Sequence, residues 1–177
     1  MNKIDLSILY SGDCNIILRH KGLEIFTDHS KYLRIFKCPL WIAVNSGRTD
    51  ILDALLECGV NPNNDNAAGL HLACKQNDML MVSRLLYSGG NPNICNSNDE
   101  NCLHIACKQN NYELVLLLFS YMKNFSACDD SGRTPIMYTS NKNIIEFLSA
   151  YTNLTIIDNY GDKFPVRCSS KANNFVL

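Results

Sequence analysis

Hydrophobic residues occur in the same order four times along this chain of 177 residues. Leu40, Leu70, Leu103 and Ile136 mark the same place in the four segments, so the steps between them are 30, 33 and 33 residues. Each segment holds two runs in which apolar residues recur three or four positions apart, as on one face of a helix. A period of this length is typical of stacked repeats, and the pattern therefore predicts repeats of two short helices.

Two of the segments are nearly identical over nine residues. The stretch LHLACKQND spans residues 70–78, and LHIACKQNN spans residues 103–111. The Leu and Ala of each stretch lie on one helix face, which indicates the core side. Lys75 and Gln76, repeated as Lys108 and Gln109, do not face the core in this register. We therefore predict that these four polar side chains are exposed.

Glycine, proline and polar residues mark the ends of the repeats. Gly59 and Gly89 follow the second helix, where a left-handed residue is needed and glycine adopts that conformation at the lowest cost. Pro62 and Pro92 then prevent the helix from continuing. Polar turns connect the repeats at Asn64–Asn66, Asn96–Asn101 and Asp129–Arg133. One repeat has a single apolar face, which it can bury only against its neighbours.

This pattern resembles the ankyrin repeat, which opens with Thr-Pro-Leu-His-x-Ala and closes with Gly-Ala-Asp/Asn-x-Asn. The openings here are CPLWIA, AGLHLA, NCLHIA and TPIMYT, and the closes are GVNPN and GGNPN. The resemblance implies an all-α ankyrin-repeat solenoid of stacked helix-turn-helix repeats with hairpin-like loops between them. We expect a single domain over residues 1–177. Its parts are a degenerate N-terminal repeat with an extended loop (1–37), four repeats (38–66, 67–99, 100–131 and 132–160) and a truncated repeat with a tail (161–177).

The chain departs from the family pattern at two kinds of position. No repeat keeps the whole Thr-Pro-Leu-His set, whose Thr and His share hydrogen bonds between neighbouring repeats in the family. We therefore expect a lower stability than that of a consensus array. The third and fourth repeats also lack the glycine after the second helix, and we expect Asn124 and Asn153 to be the left-handed residues there.

Composition narrows the classes of partner. The chain is 46% hydrophobic and 19% charged with a formal net charge of −1, which gives no global attraction to nucleic acid or an anionic membrane. The longest apolar run, Leu114–Phe119, is far short of the roughly 20 residues of a membrane-spanning helix. The first residues do not resemble a secretory signal, and nine cysteines are an odd number for a disulfide framework. We expect a cytoplasmic or nuclear protein with reduced thiols.

One motif invites a chemical interpretation. Cys102, His104 and Cys107 have a spacing that suits zinc or a cysteine-dependent activity, which is the alternative from a different class of function. The repeat offers another reading, because His104 matches His71 and Cys107 matches Cys74 at a small core position. A fourth ligand, a phosphate loop and a nucleophile motif are all lacking. We expect no metal, no cofactor and no enzyme.

In the ankyrin family, the first-helix positions after the alanine line a concave groove beside the loop tips. The resemblance therefore implies a row of polar residues, a parallel apolar row and an acidic rim. The candidate partner-binding residues on the helices are Ile42, Asn45, Leu72, Lys75, Gln76, Ile105, Lys108, Gln109 and Tyr138. Those at the loop tips are Asp65, Asp99, Glu100, Asp129, Asp130, Arg133, Asp158, Tyr160 and Asp162.

The function implied by the resemblance is protein–protein interaction, as an adaptor, scaffold or inhibitor. The partner is expected to be a protein with basic and apolar residues, without direct binding to nucleic acid or a membrane, and the chain itself is expected to be monomeric. Two alternatives stay within this class: an inhibitor like those that sequester Rel-type (NF-kappaB) transcription factors, and a substrate receptor of a ubiquitin ligase.

Overall fold

The computed structural model describes residues 39–164, so the predictions for residues 1–37 and for the tail beyond residue 164 lie outside the described part. This part contains seven α-helices and one 3-10 helix. They are α1 (Pro39–Asn45), α2 (Thr49–Glu57), α3 (Asn64–Gln76), α4 (Met79–Tyr87), α5 (Cys102–Lys108), α6 (Tyr112–Phe119), the 3-10 helix (Pro135–Tyr138) and α7 (Lys142–Ser149). Between residues 39 and 164 the only β pairing is an isolated bridge of Ile157 with Lys163. The all-α prediction is confirmed.

The helices form the predicted pairs: α1 with α2, α3 with α4, α5 with α6, and the 3-10 helix with α7. By its internal contacts the chain separates into unit one, residues 1–91, and unit two, residues 92–177. In unit one α3 packs against both α1 and α4, and in unit two α5 packs against both the 3-10 helix and α6. Within each unit, neighbouring repeats therefore bury each other's apolar faces.

The leucines that define the repeat all point into the core. Leu40, Leu70, Leu103 and Ile136 are each at most 1% exposed. In unit one the first helices approach closely at Gly69, where an added Cβ would lie 3.3 Å from the Cβ of Leu40. The registers predicted from the sequence are therefore those of the folded repeats.

The predicted turn at residues 64–66 has a left-handed backbone at the start of α3. Asp65, Asn66 and Ala67 have φ values of 50°, 55° and 55°, and the regular helix follows them. Asp and Asn tolerate this conformation, whereas alanine has no polar side chain to compensate for it. Ala67 is also fully buried, so this left-handed alanine lies in the core.

The asparagine that ends both Lys-Gln-Asn stretches has a conformational role. Asn77 and Asn110 have φ values of 58° and 55°, in the place where the first repeat has Gly47. Oδ1 of Asn110 accepts hydrogen bonds from the backbone N–H of Ser140 at 2.8 Å and from the hydroxyl of Thr139 at 2.9 Å. The left-handed backbone of Asn110 therefore turns the chain after α5, and its side chain holds residues 139–140, which precede α7.

The last asparagine of the Gly-x-Asn-Pro-Asn close connects one repeat to the next. In unit one, Oδ1 of Asn63 accepts from the N–H of Asn91 at 2.7 Å, and its Nδ2 donates to the carbonyl of Gly89 at 3.0 Å. These bonds satisfy backbone groups that follow the end of α4, which would otherwise have no helical partner.

The same connection recurs in unit two. Asn93 accepts from the N–H of Lys123 at 3.2 Å and donates to the carbonyl of Tyr121 at 3.4 Å. In the following repeat Ser126 occupies this place, and its hydroxyl accepts from the N–H of Asn153 at 2.8 Å. A residue that the sequence marks only as a turn former is thus an inter-repeat link.

The fourth repeat is the most irregular in the described part of the chain. Its first helix is a single 3-10 turn, and the buried hydroxyl of Thr134 has no hydrogen-bond partner between residues 39 and 164. The expectation that Asn124 and Asn153 are left-handed is wrong, because neither has a positive φ. Each instead accepts a hydrogen bond from the backbone N–H two residues later, which forms a turn without a left-handed residue.

Candidate functional site

Three loops of unit two are built on the same hairpin turn. In each loop the Oδ1 atom of one residue accepts hydrogen bonds from the backbone N–H groups two and four residues later, at 2.8–3.1 Å. Neighbouring loops are joined through their backbones, as where the N–H of Asn159 donates to the carbonyl of Ser131 at 3.0 Å. The residues that accept these pairs of bonds are Asn96, Asp129 and Asp158.

This turn corrects the prediction of an acidic rim. Glu100, Asp129 and Asp158 are only 7%, 6% and 5% exposed, so they do not project from the loop tips. Asp129 and Asp158 point inward because their carboxylates hold the turns, which the sequence pattern alone did not reveal. The acidic side chains that remain exposed in these loops are Asp99, Asp130 and Asp162.

The carboxylate of Glu100 is held by the side chains of Lys108 and Asn96. It accepts hydrogen bonds from the ammonium of Lys108 and from Nδ2 of Asn96, the latter at 3.0 Å. Although burial raises the pKa of the Glu100 carboxyl, the bonds from Lys108 and Asn96 leave this pKa below its usual value. Lys108, predicted as a partner-binding residue, is therefore also part of an ion pair that supports the loop.

Tyr138 lies at the centre of a cluster of charged and aromatic side chains. Its hydroxyl donates to the carboxylate of Asp129, and the ammonium of Lys108 lies 4.1 Å from the centre of its ring. Burial and the adjacent Asp129 raise the pKa of Tyr138 to about 12, so the phenol stays protonated. The ring of His104 meets it edge-on, with the ring centres 6.3 Å apart.

Arg133 extends this cluster to the surface. Its Nε donates to Asp158 at 2.6 Å, and its guanidinium lies 5.2 Å from the ring centre of Tyr160 and 5.8 Å from that of Tyr138. A guanidinium within about 6 Å of an aromatic ring is attracted to its face. Tyr160 is 72% exposed, so one protruding ring is positioned by an arginine that is itself fixed.

His104 links two repeats instead of holding a metal. Its Nε2 lies 3.0 Å from the carbonyl of Arg133, which can only accept, so Nε2 carries the proton. Its Nδ1 then accepts from the N–H of Asn101 at 3.2 Å, and Asn101 in turn accepts from the N–H of His104. Burial lowers the pKa of His104, in agreement with a neutral ring.

The reading of Cys102, His104 and Cys107 as a metal or catalytic group has little support in the structure. Both thiols are fully buried, and burial raises the pKa of the Cys107 thiol, which opposes the thiolate that would be the nucleophile or ligand. Across residues 39–164 no three His, Cys, Asp or Glu side chains are grouped so that they could bind a metal ion.

The polar residues predicted for the first helices are exposed. Asn45, Lys75, Gln76, Lys108 and Gln109 all lie at or next to the C-terminal end of a first helix, on the surface. Asp65, which was predicted at a loop tip, is also exposed. Leu72 of α3 and Tyr138 of the 3-10 helix are half-buried.

The apolar row requires a correction. Ile42 and Ile105 are only 5% and 4% exposed, so they belong to the core and do not form a surface row. The reason is that α1 packs along α3, and α5 along the 3-10 helix, so residues on that side of the first helix are covered.

Sequence reasoning missed the structural role of two residues of unit two. Asn101 begins α5 and forms a reciprocal cap with His104, in the place where the family motif has Thr. This position could have been found from the motif, because Asn is as good a helix cap as Thr. Arg133 was expected only as a loop-tip charge, and its place between two tyrosines depends on the three-dimensional turn.

Comparison with known families agrees with the repeat geometry. A family model for ankyrin repeats in three copies matches residues 70–158, and a model of a single ankyrin repeat matches residues 37–64. No curated protein matches the chain. None of the helices between residues 39 and 164 has the length and apolar character needed to cross a membrane.

Proposed function

The chain belongs to the ankyrin-repeat family, and on this premise we propose that it binds another protein through its first helices and hairpin loops. Ankyrin repeats are generally protein–protein interaction modules. One observation carries the proposal: Lys75–Gln76 and Lys108–Gln109 are exposed at the ends of first helices whose preceding residues are core. Core packing does not account for Lys75, Gln76 and Gln109, whereas Lys108 also pairs with Glu100 within the chain.

The surface of unit two offers the firmest anchor. Tyr160 is exposed beside Arg133, and Gln109 is exposed next to Lys108, which covers one face of Tyr138. Asp158 already holds Arg133, and the guanidinium of Arg133 lies beside the ring of Tyr160. A partner would therefore not have to order Arg133 when it binds. Preorganisation of this kind lowers the entropic cost of association. We call Lys108, Gln109, Tyr138 and Tyr160 the recognition surface of unit two.

The charges around this surface favour a basic partner. Lys108 and Arg133 are neutralised within the chain by Glu100 and Asp158. Of the exposed loop acids, Asp162 lies 3.9 Å from Arg133 and next to the exposed Lys163. Asp99 and Asp130 therefore leave the acidic excess that would steer a segment with Lys or Arg. Apolar residues of the same segment would pack on Tyr160.

We propose that this binding involves no catalysis and takes place in the cytoplasm or nucleus. The buried Cys107 thiol supports the first part, because its raised pKa disfavours the thiolate. The six cysteines of the described residues, none in a disulfide, support a reducing compartment.

The proposal can be tested without knowing the natural partner. Peptides would be selected from a random display library on the wild-type chain and re-tested on two variants. The site variant combines Tyr160→Ser with Gln109→Ala. The control, Tyr87→Ser, removes a tyrosine that is 89% exposed on α4 of unit one. Circular dichroism would check that both variants remain folded.

We expect the selected peptides to be rich in Lys or Arg next to apolar residues. We also expect them to lose at least about tenfold in affinity, or about 1.4 kcal/mol, on the site variant and to keep it on the control. Selected peptides that bind both variants equally well would refute the recognition surface of unit two.

A further inference from the structure

A second surface of unit two lies on the second helices, separate from the recognition surface. Phe119 of α6 lies with its ring centre 4.9 Å from that of Phe147 and 4.8 Å from that of Tyr151, both associated with α7. Phe125 stacks on Phe119 at 4.8 Å, and Tyr112 meets Phe147 edge-on at 6.1 Å. With Leu116, which occupies the same stretch of α6, they form what we call the second-helix patch.

The patch is open to solvent. Tyr151 is 52% and Leu116 is 41% exposed, and the other four rings are half-buried. Tyr121 and Leu154, which follow the two helices in the chain, are also exposed, at 41% and 37%. Contiguous apolar surface of this kind is uncommon on a monomer and commonly marks an interaction site.

Helix α4 of unit one is polar at the position of Leu116, whereas Met79 and Leu86 match Tyr112 and Phe119. Leu116 and Leu117 correspond to Ser83 and Arg84, 33 residues earlier. Arg84 forms an ion pair with Asp53 at 2.6 Å, which connects α4 to α2. The chain thus joins the second helices of unit one by charges and those of unit two by aromatic rings. Repeat stacking alone therefore does not require an exposed leucine at position 116.

The charged residues that border the patch are balanced. Glu113 follows Tyr112 on α6, Glu146 precedes Phe147 on α7, and all of the bordering charges are exposed. Lys142 lies one turn before Glu146, and Lys123 lies two residues after Tyr121. Two acidic and two basic residues around an apolar centre suit neither a strongly basic nor a strongly acidic partner. They do suit a copy of themselves, because Lys142 and Glu146 are exposed four residues apart on α7, and an antiparallel two-fold pairing of α7 brings each opposite the other.

We infer that the second-helix patch is a self-association surface, on which unit two of one chain packs against unit two of a second copy. Ring-to-ring contacts of the two patches form the apolar centre, and in an antiparallel pairing of α7 with its mate Lys142 of each copy faces Glu146 of the other. This departs from the monomer expected from the sequence, which gave no sign of the patch. The recognition surface lies on other elements, so a dimer keeps both of its copies available.

Sedimentation velocity of the full chain over a wide range of concentrations tests this inference. We expect a dimer that dissociates on dilution. The variant Leu116→Glu places a charge within the patch on an exposed helix position and should raise the dissociation constant at least about tenfold. The matched control is Leu80→Glu on α4 of unit one. Leu80 is 53% exposed and occupies the repeat position that holds Glu113 in unit two. The control variant should leave the dimer unchanged.

A mixing experiment separates pairing between copies from effects within one helix. Lys142→Glu alone and Glu146→Lys alone should each weaken the dimer, because like charges then face each other across the axis. An equimolar mixture of the two variants should associate again, because one chain presents two lysines to the two glutamates of the other. A chain that stays monomeric at every concentration would overturn the inference. So would a dimer that Leu116→Glu does not weaken, or a mixture that associates no better than its components.

Discussion

Asn110 offers the sharpest test of how the repeats of unit two are held together. Replacement by glycine keeps the left-handed backbone (φ of 55°) accessible but removes the side chain. The N–H of Ser140 and the hydroxyl of Thr139 then lose their acceptor, whereas the N–H of Asn141 keeps a second acceptor in Thr139. Two net hydrogen bonds of about 1 kcal/mol each give a loss of about 2 kcal/mol.

Two further variants at this position divide the effect into its causes. Asn110→Ala loses the same hydrogen bonds and adds the cost of a left-handed alanine, about 1–2 kcal/mol, so its total should be about 3–4 kcal/mol. Asn110→Asp keeps the acceptor oxygen and should lie within about 0.5 kcal/mol of the wild type.

Urea unfolding followed by tyrosine fluorescence would measure these differences, and hydrogen exchange would locate them. Amides of residues 139–149 should exchange faster in the glycine variant, and those of unit one should not. A glycine variant as stable as the wild type would refute the inter-repeat role of Asn110. An alanine variant no less stable than the glycine variant would refute the conformational role.

Three more predictions follow from the described contacts. His104 has a lowered pKa in the folded chain, so its neutral form stabilises the fold above its unfolded pKa of about 6.5. The free energy of unfolding should therefore fall as the pH drops below that value, by up to about 1.4 kcal/mol per pH unit. Urea unfolding of the wild type and of His104→Gln over this pH range would measure the difference. Asn93→Ala should cost about 1–2 kcal/mol, because Lys123 N–H and the Tyr121 carbonyl lose a shared partner, and an unchanged midpoint would contradict the link. Leu103→Ala should cost about 2–5 kcal/mol in calorimetry, since the side chain is fully buried; unchanged thermal stability would show that the register is wrong.

The sequence was sufficient for the helices and for the glycine positions. Apolar spacing located the helix pairs, because one-sided burial imposes that spacing on any stacked repeat. Gly59 and Gly89 do adopt positive φ values, of 84° and 92°, as predicted. Their conformation follows from the local chain direction at a helix end, which the sequence pattern expresses directly.

The roles of polar side chains could not be predicted in the same way. Asp129 and Asp130 are adjacent and chemically identical, yet one is buried in its turn and the other is exposed. The difference depends on the direction of each Cα–Cβ bond in the hairpin, which residue type does not encode. Ile105 was misplaced because one repeat does not show how much of its first helix the next repeat covers. The second-helix patch was missed because its rings come together from three separate segments.

The central claim is that contacts within the chain hold the buried carboxylates Glu100, Asp129 and Asp158 and leave the recognition surface of unit two for a protein partner. Hydrogen exchange with and without a selected basic, apolar peptide tests it most directly. We expect slower exchange on binding at residues 107–110, 137–139 and 159–162, with no change in α4 or α6. Protection that is confined to the second helices, or absent from the loops around Tyr160, would contradict it.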